Sequence, residues 1–228
     1  MIKAVFIDFY GTLVHEDGAV IKQVSQIIFE TGVVQNYSDI GGYWWSEFQT
    51  MFHNAYGESF VTQRELEYRS LKKTIEHFNS TADVVELSEM MFRHWTAPPA
   101  FPEAKAFFEA CPFPVYIVSN IDTSDINKAI EFHGFKPDGV FTSEDAKSYK
   151  PRSELFEYAL SKTGFASDEV IHIGDSLSSD INGAGNVGIK PVWINRDGKT
   201  VPDGVIAVND LLDVFRTSFF GRNKNGII

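Results

Sequence analysis

The chain has 228 residues, 43% of them hydrophobic, with 20 basic side chains against 31 acidic ones and a net charge of -11. That apolar share supports a sizeable core and excludes a disordered chain. The acidic balance argues against a nucleic-acid or anionic-membrane partner, since either needs a basic footprint.

A single cysteine, Cys111, excludes an internal disulfide and any cysteine-type metal site, and it is compatible with a reducing cytosol. The N-terminus has no signal-peptide succession, because Asp8 and Tyr10 interrupt its only apolar run. Nowhere do about eighteen apolar residues follow one another, so no membrane span is expected. These features predict a cytoplasmic protein acting on a small soluble partner.

The first strand is predicted at Lys3 to Ile7, an apolar run that ends abruptly in Asp8-Phe9-Tyr10-Gly11-Thr12-Leu13. Such a run reads as a buried parallel strand whose C-terminal end carries a carboxylate into a loop, where open α/β sheets place their chemistry. A carboxylate there can act as a nucleophile or hold a cation. The period then changes to helical. Val20, Ile21, Val24, Ile27 and Ile28 recur at spacings of three and four before Gly32. An aromatic stretch from Tyr43 to Tyr56 reads as packed helix core. Thr62 with Glu65, and Asp83 with Glu86, read as capping boxes opening two more helices. Residues 15–96 therefore form a predicted four-helix module.

Pro98, Pro99 and Pro102 then break helical structure and mark a hinge. Beyond it strands and helices alternate. Strands are predicted at Pro114 to Val118, Val140-Phe141, Val170 to Ile173, Val192 to Ile194 and Val205 to Val208. Helices are predicted around Ser124 to Phe132, after Lys150-Pro151, after Gly174-Asp175 and at Leu211 to Phe215, and the tail Gly221 to Gly226 reads as loosely held. This alternation implies a Rossmann-like, doubly wound parallel α/β sheet. Residues 1–14 and 97–228 make its core, and residues 15–96 are an inserted helical cap.

Four strand ends then present polar residues to one sheet edge: Asp8 with Thr12, Ser119 with Asn120, Lys150, and Asp175 with Asp180. Two acids from different strands suit a hard cation such as Mg²⁺, with the Tyr10 backbone carbonyl as a third oxygen. A lysine and hydroxyls between them suit an anionic group, most simply a phosphate. His172, inside a strand, is expected to point away from this site.

The sequence resembles the haloacid dehalogenase superfamily of hydrolases, subclass I with a helical cap, over nearly its whole length. The resemblance lies in Asp8-Phe9-Tyr10-Gly11-Thr12-Leu13, Val118-Ser119-Asn120, Lys150-Pro151 and Gly174-Asp175-Ser176-Leu177-Ser178-Ser179-Asp180, in that order. It implies that Asp8 is the nucleophile of an aspartyl intermediate, and that Thr12, Ser119 and Lys150 serve the transferred group. Asn120 and Tyr10 would meet substrate, Asp8, Asp175 and the Tyr10 carbonyl would bind Mg²⁺, and Asp180 would act on the metal at one remove.

Phosphatases of the family carry a second aspartate where this chain has Tyr10, whose phenol, with an ordinary pKa of about 10, is a poor base at neutral pH. Tyrosine there resembles the 2-haloacid dehalogenases. Asp175 does not, and neither does the absence of arginine between Asp8 and Arg64. The expected activity is hydrolysis of a small phosphate ester. Haloacid dehalogenation and a binding or regulatory role are the alternatives.

Overall fold

The computed structural model describes residues 1–220, so the tail Gly221 to Gly226 lies outside the described residues. Its organising strand, β1 (Ala4–Ile7), is buried at every position. Five more strands align with it: β2 (Val115–Ser119), β3 (Gly139–Thr142), β4 (Val170–Gly174), β5 (Lys190–Ile194) and β6 (Ile206–Val208). All pair in parallel, in the order β3-β2-β1-β4-β5-β6.

Alternation along β1 sends Val5 and Ile7 into one apolar layer and Ala4 and Phe6 into the other. The first layer includes Phe107 of α5 (Ala104–Ala110) and Ile126 of α6 (Thr123–His133). The second includes Leu155 and Phe156 of α8 (Ser153–Thr163), which follows the one-turn helix α7 (Ser143–Ala146). Strand order reverses between β1 and β4, and a doubly wound sheet opens a crevice at that switch point. Asp8 and Asp175 stand at its two sides.

Four helices stand between β1 and α5: α1 (Gly18–Thr31), α2 (Tyr37–Phe52), α3 (Gln63–His77) and α4 (Val84–Thr96). The segments that lead into and out of them run antiparallel, with His15 N–H donating to Pro99 O (2.8 Å) and Phe101 N–H to Leu13 O (3.0 Å). The two expected capping boxes have different outcomes. Asp83 accepts from the Val85 and Glu86 amides, an N-cap without the reciprocal Glu86 bond of a capping box. Thr62 makes no side-chain cap. Instead Asp122, just before α6, accepts from Gln63 N–H (2.7 Å) and Arg64 N–H (3.0 Å). Arg64 also makes a bidentate pair with the buried Asp125.

Three further elements depart from expectation. Helix α5 was not anticipated, because its seven residues, closed in by Pro102 and Pro112, show too little periodicity. The helix after Asp175 is a π-helical turn, Leu177–Asn182, running into α9 (Gly183–Asn186), and the last helix is a 3₁₀ turn at Leu212–Arg216. Among the described residues no helix is long and apolar enough to cross a membrane.

Candidate active site

Asp8 follows the last residue of β1 and continues its ladder, its amide donating to Ile173 O at 2.8 Å. The loop beyond it turns on Gly11 at φ +85°, a conformation that strains any residue with a side chain. A Cβ at Gly11 would also lie 2.5 Å from the Asp175 carboxylate, and one at Gly174 would lie 2.2 Å from Asp180. Both glycines are there so that carboxylates can approach backbone. Thr12 donates to Asp175 Oδ1 (3.2 Å) and Trp193 Nε1 donates to the Asp175 carbonyl (2.7 Å), which orients that residue from both ends.

Lys150 is buried and spends all three ammonium protons on protein. It donates to Asp8 Oδ1 (2.7 Å), Asp180 Oδ1 (2.6 Å) and Val118 O (2.9 Å). Asn120 holds it there, since its amide accepts from Lys150 N–H (2.7 Å) and donates to Lys150 O (3.0 Å). The Asn120 side chain, expected to meet substrate, lines the cavity and commits its amide oxygen and one of its two N–H donors to the Lys150 backbone. Ser119 is buried at the tip of β2 and lines the same cavity.

His172 stays off the crevice, as expected, yet touches a residue of the site. Its Nε2 is 2.9 Å from Asp180 Oδ1. Burial pushes the imidazole pKa down, so the ring is neutral and donates from Nε2 to a carboxylate that can only accept. Alternation directs His172 off the crevice, yet the π-helical turn brings Asp180 back over it. Asp180 Oδ2 takes the Ser176 amide (3.0 Å). Lys150 and His172 hold the Asp180 pKa well below the usual carboxylate range despite burial.

Asp8, Asp175 and Asp180 each offer an oxygen within 4.8 Å of the others. Burial, reinforced by Asp8 and Asp180, pushes the Asp175 carboxyl up. Burial also raises Asp8, against the pull of Lys150. Hard oxygen donors whose mutual repulsion a divalent cation would relieve fit a metal centre.

These groups line one side of a cavity of about 460 Å³. The other side is helical, with Trp44, Trp45, Phe48 and Phe52 from α2, Glu67 from α3 and Trp95 from α4. The aromatic stretch expected as core is therefore divided. Trp44 is buried with its Nε1 on Ser70 Oγ (3.2 Å), whereas Trp45 remains 59% exposed and stacks on Phe48 at the cavity. Tyr10 joins the two sides, its hydroxyl donating to Trp95 O at 2.6 Å. Burial foremost, with neighbouring aspartates, raises the phenol pKa further, so Tyr10 is not a base. Glu67 was missed by sequence reasoning. It sits inside a helix whose pattern marks it only as polar.

The family model for haloacid dehalogenase-like hydrolases matches residues 2–188. The chain belongs to that family. A phosphoserine phosphatase of Thermus thermophilus is 31% identical over 142 residues, 57% of this chain and 55% of that protein, so the chain matches about half its length. A pyrimidine 5′-nucleotidase of Escherichia coli is 25% identical over 184 residues, 69% of this chain and 81% of that protein. The solved L-2-haloacid dehalogenase of Xanthobacter autotrophicus superposes with a TM-score of 0.73 at 19% identity, covering 95% of this chain and 98% of that one. At that identity the likeness is one of fold.

Proposed function

We propose that the protein is an Mg²⁺-dependent phosphatase acting on a small phosphate monoester through an aspartyl intermediate on Asp8. The single observation that carries this reading is the cluster of three carboxylates around one buried lysine, Asp8 and Asp175 just past strand ends and Asp180 in the π-helical turn. Asp8, Asp175 and the Tyr10 carbonyl would hold Mg²⁺, with Asp180 supporting through its hydrogen bonds. Bound there, the ion would offset the negative charge that separates a carboxylate nucleophile from a phosphate.

In the first half-reaction Asp8 attacks phosphorus, a carboxylate oxygen–phosphorus bond forms, and the ester oxygen departs with its electron pair. Lys150 fixes Asp8 and offers positive charge to the transferred group, with the Ser119 hydroxyl at the same strand-end edge. Water then cleaves the acyl phosphate, releasing phosphate and restoring Asp8. With Tyr10 tied to Trp95, no acid at position 10 protonates the leaving oxygen. Aryl and acyl phosphates, which leave without a proton, are therefore the favoured substrates.

Dehalogenation is the second reading, and Tyr10 in place of an acid is what favours it. Against it, the described residues lining the cavity include no arginine for a haloacid carboxylate. Turnover of an activated aryl phosphate in Mg²⁺, abolished by a chelator and reduced on the order of 10³-fold or more in Asp8→Asn, is the expected result. Full turnover in Asp8→Asn would remove Asp8 as nucleophile. Chelator-insensitive halide release from 2-chloropropionate would reverse the order of the two readings.

A further inference from the structure

Glu67 is the one carboxyl on the helical side of the cavity that is both deeply buried, at 5% exposure, and left with an oxygen, Oε1, that has no hydrogen-bond partner. A buried acceptor without a donor is costly, and a ligand that donates to it removes that cost. Asp17 and Glu16 line the same cavity, as do the rings of Trp44 and Trp95. Among the described residues no arginine lines it, its one lysine, Lys150, has all its donors spent, and His53 supplies its one imidazole.

We infer that Glu67 selects the substrate, its carboxylate accepting a hydrogen bond from an ammonium group carried at the end remote from the phosphate. The inference rests on the phosphatase reading for the phosphate end alone. A second anionic group at the remote end would face the carboxylates of Glu16, Asp17 and Glu67, and among the described residues no arginine and no free lysine lines the cavity to meet it. A neutral alkyl end would leave Oε1 unpaired. An ammonium pairs with Glu67 and is further attracted by the indole faces. Burial foremost, with Asp17 nearby, pushes the Glu67 carboxyl up to about 8. The free protein thus holds it neutral, and the arriving cation displaces its proton to solvent.

Calorimetric titration of the full chain in Mg²⁺ tests this, with ω-aminoalkyl phosphonates against alkyl phosphonates of equal length. The ammonium series should bind about tenfold or more tighter. Glu67→Gln should remove that preference, and Glu67→Asp should keep it while moving the optimum to a longer chain. Equal affinities in the wild type, a preference intact in Glu67→Gln, or a trimethylammonium analogue binding as well as the amine would each overturn the role of Glu67. Aryl phosphate turnover measured on the same sample separates the two claims. Preference without turnover sinks the phosphatase reading, turnover without preference sinks the Glu67 assignment, and binding of neither series sinks both.

Discussion

On the strand side of the cavity each buried charge has partners: Lys150 has three, Asp180 is held by Lys150, His172 and the Ser176 amide, and Asp175 is oriented by Thr12. On the helical side aromatic rings are half open to the cavity and Glu67 has an oxygen with no partner at all. The first side is preorganised for one charge pattern, which is what stabilising a phosphoryl transition state asks. The second side is incomplete by itself, which suits the recognition of a variable group. On the proposed function, chemistry and selectivity within one cavity fall to different secondary structure.

The largest expected effect comes from Tyr10, which bridges the two sides. Tyr10→Asp restores a carboxyl near the leaving oxygen, and turnover of alkyl phosphates should rise by about 10²- to 10⁴-fold while that of aryl phosphates changes little. No selective gain in a folded variant would mean that this position is not beside the leaving group.

Breaking the strand side should cost stability as well as rate. Lys150→Met leaves Asp8 and Asp180 buried as like charges, and urea unfolding should report a loss of about 3–5 kcal/mol. An unchanged midpoint at neutral pH would show the lysine to be dispensable for folding.

The helical side should respond with the opposite sign. The Glu67 carboxyl is raised from its ordinary 4.5 to about 8, so the folded state binds more protons than the unfolded one between those values. The contribution of Glu67 to stability is therefore whole below pH 4.5 and is lost as pH rises through about 8. Glu67→Gln should stabilise the protein, the gain growing across that window to about 2–4 kcal/mol at pH 8 and vanishing at pH 4.5. A gain independent of pH would point to packing instead.

The smallest effect concerns how the two sides are held together. Asp125→Ala removes the bidentate partner of Arg64, a loss of about 1.5–3 kcal/mol. Faster amide exchange should then be confined to the start of α3 and its contact with α6. Protection unchanged there would show that the Asp122 cap alone fixes α3.

What was legible in the sequence is what short-range order writes. Apolar runs ending in polar residues marked β1, β2 and β4 and the tips bearing Asp8, Ser119 and Asp175, because a strand buried on both faces must be continuously apolar and its loop need not be. The Asp83 cap was legible for the same reason, since donor and acceptor are neighbours in the chain. Other roles were decided only in three dimensions. Asp122, rather than Thr62, caps α3 across 59 residues, and Asn120 serves Lys150 across 30. His172 reaches Asp180 through a π-helical turn that no local pattern announced. Helical periodicity grouped Trp44 with Trp45, but only the docking of α2 over the strand ends leaves both at the cavity with one ring buried and the other exposed. For Glu67 the sequence specified a carboxylate, while its lack of a partner follows from every surrounding element at once, and a one-dimensional pattern cannot encode what is missing from a neighbourhood.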